Sequence, residues 1–314
     1  MSYISNTFLF FFLLVTLSSY TMKDTDATSA SEADEMNTIQ LAENLKIAYT
    51  DSEVGDEILL FVHGLGSNHK AWNKNILVLK KHFRCIAIDL PGYGQSSTGD
   101  FDYSMSFFSD VVKKFIEKKG LDKVHLVGHS MGGQISISTT LKHPDIVKSL
   151  ILIAPAGIET FEQSAALWLK SVFSYDLLVN LSKEQIIQNF EINFYDMPED
   201  ARFMIDERFE LMELEAYHDY CRMIPKCVSG MLDEPVFDQL DQVEQSVLIL
   251  YGKEDRLIPN TMLHPQKTTQ LIAKKADDAF PNSEMHLISQ AGHFLQWEKS
   301  NEVNAVIKNF LFGQ

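Results

Sequence analysis

A serine flanked by glycines is the first residue in this chain that could do covalent chemistry. The segment GHSMGG at residues 128–133 follows an apolar run, residues 124–127, and precedes a stretch of helical length. A sharp turn between a strand and a helix lifts a serine Oγ above the sheet, and small flanking residues leave room for the turn. The motif therefore predicts Ser130 as a nucleophile, with His129 pointing away from it.

A serine hydroxyl is a weak nucleophile at neutral pH, so it needs a base and an acid that orients the base. Of the ten histidines, His293 is the best placed, because it follows the last apolar run in the loop QAGH. Asp255 follows the preceding run and is the predicted acid. Glu254 is the alternative, and a surface ion pair with Arg256 is the structural interpretation of this loop. The order Ser130, Asp255, His293 is typical of a nucleophile turn on such a sheet.

A second glycine-containing loop, HGLG at residues 63–66, directly follows the first strong apolar run. The tetrahedral intermediate of acyl transfer carries an oxyanion that needs preorganised hydrogen-bond donors. We predict the backbone N–H groups of Leu65 and Met131 as those donors. His63, Gly64 and His129 are predicted to contribute to substrate binding.

The elements that must position these residues are apolar runs that are typical of buried strands. The runs are mostly continuous rather than alternating, as in strands buried on both faces of a parallel sheet; they cover residues 58–62, 86–88, 124–127, 150–153, 247–250 and 285–288. Segments of helical length separate most of them, at residues 71–81, 103–119, 132–142 and 268–278, and another closes the chain at 297–310. This alternation predicts a doubly wound α/β sheet with the reacting groups at the carboxyl ends of its strands.

One long segment, residues 156–232, interrupts the alternation. It contains no strand-like run and is rich in aromatic residues, so we predict an insertion of three to five helices over one end of the sheet. The core then comprises residues 39–155 and 233–314. The insertion carries fourteen acidic and six basic residues, a net charge of −8.

The N-terminus has a different character. Residues 8–17 are almost entirely apolar, which is too short for a bilayer-spanning helix but is typical of the hydrophobic region of a secretory signal. We predict a signal peptide or hydrophobic anchor at residues 1–22, with membrane association through it, followed by an acidic flexible linker at 23–38. Export is the predicted localisation, and a cytoplasmic protein is the alternative.

The overall composition excludes several classes. The 314 residues are 45% hydrophobic and 22% charged, which is ordinary for a folded protein. A net charge of −16 argues against nucleic-acid binding, which needs clustered cations. Three cysteines argue against a disulfide scaffold, although a bridge between Cys221 and Cys227 stays open.

Five motifs together resemble the α/β-hydrolase superfamily, most of all its capped serine esterase/lipase-like branch. They are HGLG at residue 63, DLPGYGQS at 89, GHSMGG at 128, GKEDRLIP at 252 and AGHFLQWE at 291. The resemblance covers residues 45–312. It implies a mostly parallel eight-stranded sheet, a helical cap after strand six, and chemistry without a metal or cofactor.

Within this fold the site must decide the reaction. Ser130 argues against epoxide hydrolases and haloalkane dehalogenases, which use an aspartate there, and Met131 argues against peptidases that remove N-terminal proline. His129 replaces the asparagine frequent in carbon–carbon bond hydrolases. We therefore predict a serine hydrolase of small carboxylic esters with an apolar acyl or alcohol group. Carbon–carbon bond hydrolases, thioesterases, perhydrolases and non-catalytic ligand-binding proteins stay open, while the acidic insertion disfavours polyanions such as acyl-CoA.

Overall fold

The computed structural model describes residues 36–313. The hydrophobic segment predicted for residues 1–22 lies outside the described residues, as does the linker up to residue 35. Among the described helices, none has the length and apolarity needed to cross a bilayer.

The centre of the molecule is an eight-stranded sheet with strand order β1-β2-β4-β3-β5-β6-β7-β8. The strands are β1 (Asn37–Ala42), β2 (Leu45–Asp51), β3 (Ile58–Val62), β4 (Arg84–Ile88), β5 (Val124–His129), β6 (Val147–Ile153), β7 (Ser246–Gly252) and β8 (Ser283–Ile288). Strand β2 is antiparallel to both β1 and β4, and all other neighbouring pairs are parallel. The predicted mostly parallel α/β sheet is confirmed.

Eleven α-helices accompany the sheet in the described part of the chain. They are α1 (Asn73–Leu79), α2 (Met105–Lys119), α3 (Met131–Lys142), α4 (Gln163–Val172), α5 (Tyr175–Val179), α6 (Lys183–Glu191), α7 (Phe203–Met212), α8 (Ala216–Asp233), α9 (Thr269–Ala279), α10 (Leu295–Glu298) and α11 (Ser300–Phe312). Most side chains of β3, β5 and β6 are buried. Burial on both faces is the physical reason why these strands are continuous apolar runs.

The register of the central strands brings the carboxyl ends of β3, β5, β6 and β7 to one edge. Val62 at the end of β3 pairs with Gly128 in β5, while Ile153 at the end of β6 pairs with His129 and Leu250. The loops that follow these strands therefore start from the same edge of the sheet.

The hairpin formed by β1 and β2 has no counterpart among the apolar runs. Side chains of β1 alternate between half-buried and exposed, so a search for continuous runs misses this edge strand. It also begins at Asn37, two residues before the core boundary predicted at residue 39.

The segment between β6 and β7 contains helices α4–α8, which we call the inserted helices. Serine side chains cap the N-termini of two of them. Ser174 accepts a hydrogen bond from Leu177 N–H, and Ser182 forms a reciprocal capping box with Gln185. Such caps satisfy backbone N–H groups that a helix leaves unpaired at its start. Cys221 and Cys227, both in α8, are buried free thiols, so the disulfide left open between them is absent.

Candidate active site

Ser130 occupies a strained turn between β5 and α3. Its backbone has φ 53° and ψ −119°, a left-handed region that residues with a side chain seldom adopt. The turn is held at both ends, since Ser130 N–H donates to Ile153 O at 3.0 Å and Ala156 N–H donates to Ser130 O at 3.0 Å. A Cβ atom at Gly128 would lie 2.4 Å from Gly132 O, so the tight turn requires glycine there.

Asp255 and His293 form a buried hydrogen-bonded pair. His293 Nδ1 lies 2.8 Å from Asp255 Oδ2, and the two residues are 3% and 7% exposed. The other carboxylate oxygen, Asp255 Oδ1, accepts N–H groups from Leu257 at 2.8 Å and Ile258 at 3.0 Å. With Nδ1–H donating to the carboxylate, Nε2 of His293 is left to accept a proton.

The alternative acid, Glu254, does not bond to His293. Its Oε2 atom accepts the N–H of Ala291 at 3.1 Å. Asp255 is therefore the acid of this loop that the structure brings to the histidine.

The turn at Ser130 and the His293 loop lie side by side. His129 Nε2 is 3.0 Å from the carbonyl oxygen of His293, and the two imidazole centroids are 4.9 Å apart. Burial, with the nearby His293 as a second cause, holds the pKa of His129 well below 6.5. The neutral ring thus donates through Nε2 to the main chain of the loop that carries the predicted base.

The two predicted oxyanion donors belong to segments that are packed together. Met131 is the first residue of α3, directly after Ser130, where helix N–H groups have no intrahelical partner. A Cβ atom at Gly64 would lie 3.0 Å from Ser130 Cβ, and one at Gly132 would lie 2.2 Å from Val62 O. The loop bearing Leu65 therefore lies against the serine turn.

His63 is fully buried between two backbone groups. Its Nδ1 atom donates to Gly64 O at 2.8 Å, and its Nε2 atom accepts Leu90 N–H at 3.0 Å. Burial lowers the pKa of His63 to about 4, which keeps the ring neutral. Like His129, it holds loops in place, so these contacts do not support the prediction that the two imidazoles touch substrate.

Asp89 is the first residue of the DLPGYGQS motif. It anchors the chain at His69, three residues after the HGLG loop. Its Oδ1 atom accepts both the backbone N–H and Nδ1–H of His69 at 2.8 Å, and Oδ2 accepts Gln95 N–H at 2.9 Å. Burial alone would raise the pKa of Asp89, but the hydrogen bond and charge of His69 hold it below its ordinary value. A charged carboxylate thus fixes residues 69 and 95 around the end of β4.

Arg208, on α7, contacts the HGLG loop at residues 63–66, a contact that sequence reasoning missed. Its Nη2 atom donates to Gly66 O at 2.8 Å, and its guanidinium lies 4.1 Å from the ring centroid of Tyr220. Arg208 has no acidic partner in the described part of the chain, whereas the other five bases of residues 156–232 each have one, in the pairs Lys170–Asp233, Lys183–Glu213, Arg202–Asp206, Arg222–Asp219 and Lys226–Asp100. In the sequence nothing distinguishes Arg208 from those five.

Within residues 36–313, no group of three or more His, Cys, Asp or Glu side chains is arranged to hold a metal ion.

Comparisons with known proteins identify the fold family. The profile of the α/β hydrolase fold family matches residues 57–300. A 2-hydroxy-6-oxononadienedioate/2-hydroxy-6-oxononatrienedioate hydrolase from Pseudomonas putida is 28% identical over 283 residues, covering 85% of this chain and 92% of the relative.

Two solved structures share the fold. A probable hydrolytic enzyme from Pseudomonas aeruginosa PAO1 has a TM-score of 0.80 at 20% identity, covering 90% of this chain and 95% of its own. An esterase from Exiguobacterium antarcticum has a TM-score of 0.71 at 19% identity, covering 87% and 98%. With its profile match, its sheet order and its loops at the strand ends, this chain belongs to the α/β-hydrolase fold family.

Proposed function

We propose that this hydrolase cleaves carboxylic esters through an acyl-enzyme formed on Ser130. The observation that carries the proposal is the 2.8 Å bond between His293 and Asp255 beside the strained turn of Ser130. A serine presented on such a turn, beside a loop whose imidazole has its tautomer fixed by a buried carboxylate, is the arrangement that nucleophilic acyl transfer needs.

In the proposed reaction, Ser130 Oγ attacks the acyl carbonyl while His293 Nε2 takes the hydroxyl proton. The N–H groups of Leu65 and Met131 stabilise the oxyanion. His293 then gives its proton to the leaving alcohol as the carbon–oxygen bond breaks. Water, activated by the same imidazole, releases the acid and restores Ser130, while Asp255 stabilises the imidazolium in both halves of the reaction.

The inserted helices act in this proposal as a cap that selects the substrate. Arg208 reaches from α7 to Gly66 in the HGLG loop at residues 63–66, which we call the oxyanion loop. A guanidinium has five N–H donors, and Gly66 and Tyr220 use only part of that capacity. A substrate with one carboxylate near its reacting group would supply the acidic partner that Arg208 lacks among the described residues, in the planar geometry that arginine favours.

Carbon–carbon bond hydrolysis is the second candidate. The Pseudomonas putida relative is named for a dicarboxylate substrate, and Arg208, which has no acidic partner among residues 36–313, suits such a substrate as well as it suits an acidic ester. Ester and carbon–carbon bond hydrolysis would share Ser130, His293 and Asp255 here, so substrate preference decides between them.

The test is a panel of matched substrates: a neutral alkyl ester, a hemiester of equal length with a free terminal carboxylate, a dienedioate of the carbon–carbon type and a thioester. We expect ester hydrolysis that Ser130→Ala abolishes. We also expect Arg208→Gln to lower kcat/KM for the hemiester roughly tenfold relative to kcat/KM for the neutral ester. This is the loss expected when one charge-assisted hydrogen bond is removed. Arg222→Gln, which removes an exposed arginine already paired with Asp219, is the matched control.

Wild-type ester activity that persists in Ser130→Ala would contradict the mechanism. Turnover of the dienedioate far above every ester would replace the ester assignment by the second candidate.

A further inference from the structure

The His293 loop is held from outside by groups that the proposed reaction does not use. Gln290, at its start, has φ 54° although it is not a glycine, so the loop adopts a conformation that its surroundings must maintain. Three of its N–H groups have separate anchors: Ala291 donates to Glu254 Oε2 at 3.1 Å, Gly292 to Glu298 Oε2 at 2.7 Å, and Phe294 to Asn193 O at 2.9 Å.

Glu298, the last residue of α10, does more than accept the N–H of Gly292. Its second oxygen, Oε1, accepts the N–H of Asp196 at 2.9 Å, and Asp196 lies in the turn after α6. Glu298 forms no ion pair with a base among residues 36–313, so its charge is directed at two backbone amides. Hydrogen bonds to an ionised acceptor are stronger than neutral ones.

The His293 loop is also closely packed against residues 193–195 of the insertion. A Cβ atom at Gly292 would lie 2.7 Å from Asn193 O, from Phe194 C and from Tyr195 N. Phe194 is fully buried and stacks on Phe294, with ring centroids 5.3 Å apart. The loop that carries His293 therefore lies directly on the backbone of residues 193–195.

The same short helix is tied to the insertion a second time. Trp297 Nε1 donates to Asp200 Oδ1 at 2.9 Å, and Lys74 forms an ion pair with Asp200 at 2.7 Å. Ala201 and Met204 pack with Phe294 and Trp297 in a small apolar cluster separate from the main core. This side of the insertion thus has the hydrogen bonds and burial of a permanent interface.

We propose that Glu298 is a positioning residue for His293, and that residues 193–196 of the insertion are a fixed part of the active site rather than a movable cover. The carboxylate joins the amide immediately before His293 to the amide of Asp196. Without it, Gly292 N–H loses its acceptor, and the imidazole drifts from the geometry that proton transfer to and from Ser130 requires. A misplacement of about 1 Å costs up to about 100-fold in rate.

The proposal rests on the proposed function for its kinetic test. We expect Glu298→Ala to lower kcat for a neutral ester about 10- to 100-fold with KM within about twofold of wild type. Glu298→Gln keeps one side-chain oxygen acceptor in place of two. Its kcat should therefore lie between those of Glu298→Ala and wild type. Glu302→Ala, which removes an exposed acid four residues away on α11, should match wild type.

Backbone amide exchange supplies a readout that does not depend on turnover. Glu298→Ala should accelerate exchange in peptides covering residues 192–197 and 290–294 together, whereas Glu302→Ala should not. If Glu298→Ala fails to fold, Glu298→Gln carries the same comparison.

Glu298→Ala protein with kcat within about twofold of wild type would overturn the proposal, whether or not exchange is accelerated. So would a loss confined to KM, and so would exchange in Glu298→Ala equal to that of wild type in both peptides. Wild-type protein without ester activity would instead contradict the proposed function, so the two failures are distinguishable.

Discussion

His63 illustrates how a buried residue supports the site without entering the reaction. It joins the end of β3 to the end of β4 through Gly64 O and Leu90 N–H. The neutral form is required, because the ring accepts at one nitrogen and donates at the other. Its burial therefore makes the loop beside Ser130 sensitive to acid.

The pH dependence of folding tests this role. Because the pKa of His63 is lowered from 6.5 to about 4, the unfolded chain binds a proton between those values that the folded chain does not. The free energy of unfolding should therefore fall as pH drops through this window, by roughly 3 kcal/mol from this residue. In urea unfolding at pH 7 and pH 4, His63→Asn should lose correspondingly less stability than wild type.

The control for this prediction is His82→Asn, which removes an exposed histidine and should keep the wild-type pH dependence. If His63→Asn and wild type lost equal stability over the window, His63 would not be the acid-sensitive group.

At the scale of elements, the site depends on the close approach of β3 and its loop to the first turn of α3. Gly132 is the contact point, because a Cβ atom there would lie 2.2 Å from Val62 O and 2.6 Å from His63 O. We expect Gly132→Ala to push the oxyanion loop away from the serine turn, lowering the free energy of unfolding by about 1–3 kcal/mol and lowering kcat more than it changes KM.

Gly99→Ala is the comparison, since the atoms nearest to its Cβ would belong to the ring of Phe101, at 3.3 Å or more. Equal stability and kcat in the two variants would show that the close approach is unimportant. Thermal unfolding and ester kinetics measure both quantities.

The elements also show where sequence reasoning succeeds and where it stops. Buried parallel strands were predictable because burial on both faces demands unbroken apolar runs such as residues 58–62. The edge strand β1 was not, because one face is exposed. The Asp255–His293 contact followed from strand ends sharing an edge, whereas Arg208 and Glu298 depend on how α7 and α10 meet loops far away in sequence, which no local pattern encodes.

At the scale of the whole molecule, the charge is unevenly distributed. Residues 156–232 carry −8 of the total −16, yet Arg208, the one base among them without an acidic partner within residues 36–313, contacts Gly66. The field of the insertion should repel a polyanion, while Arg208 should accept a single carboxylate.

Ionic strength separates these two effects. Raising salt from about 20 mM to about 200 mM screens long-range repulsion, so kcat/KM for a coenzyme A thioester should rise several-fold. A neutral thioester of the same acyl chain should change little. Parallel salt responses of the two substrates would contradict a repulsive cap.

Covalent labelling with a fluorophosphonate, followed by intact-mass measurement and peptide mapping, tests whether Ser130 is a nucleophile activated by His293 and Asp255. We expect one adduct per chain, located on Ser130, absent from Ser130→Ala and retained in Ser138→Ala, which removes a hydroxyl further along α3. Folded wild-type protein that takes up no label, or takes it up at another residue, would show that Ser130 is not the activated nucleophile.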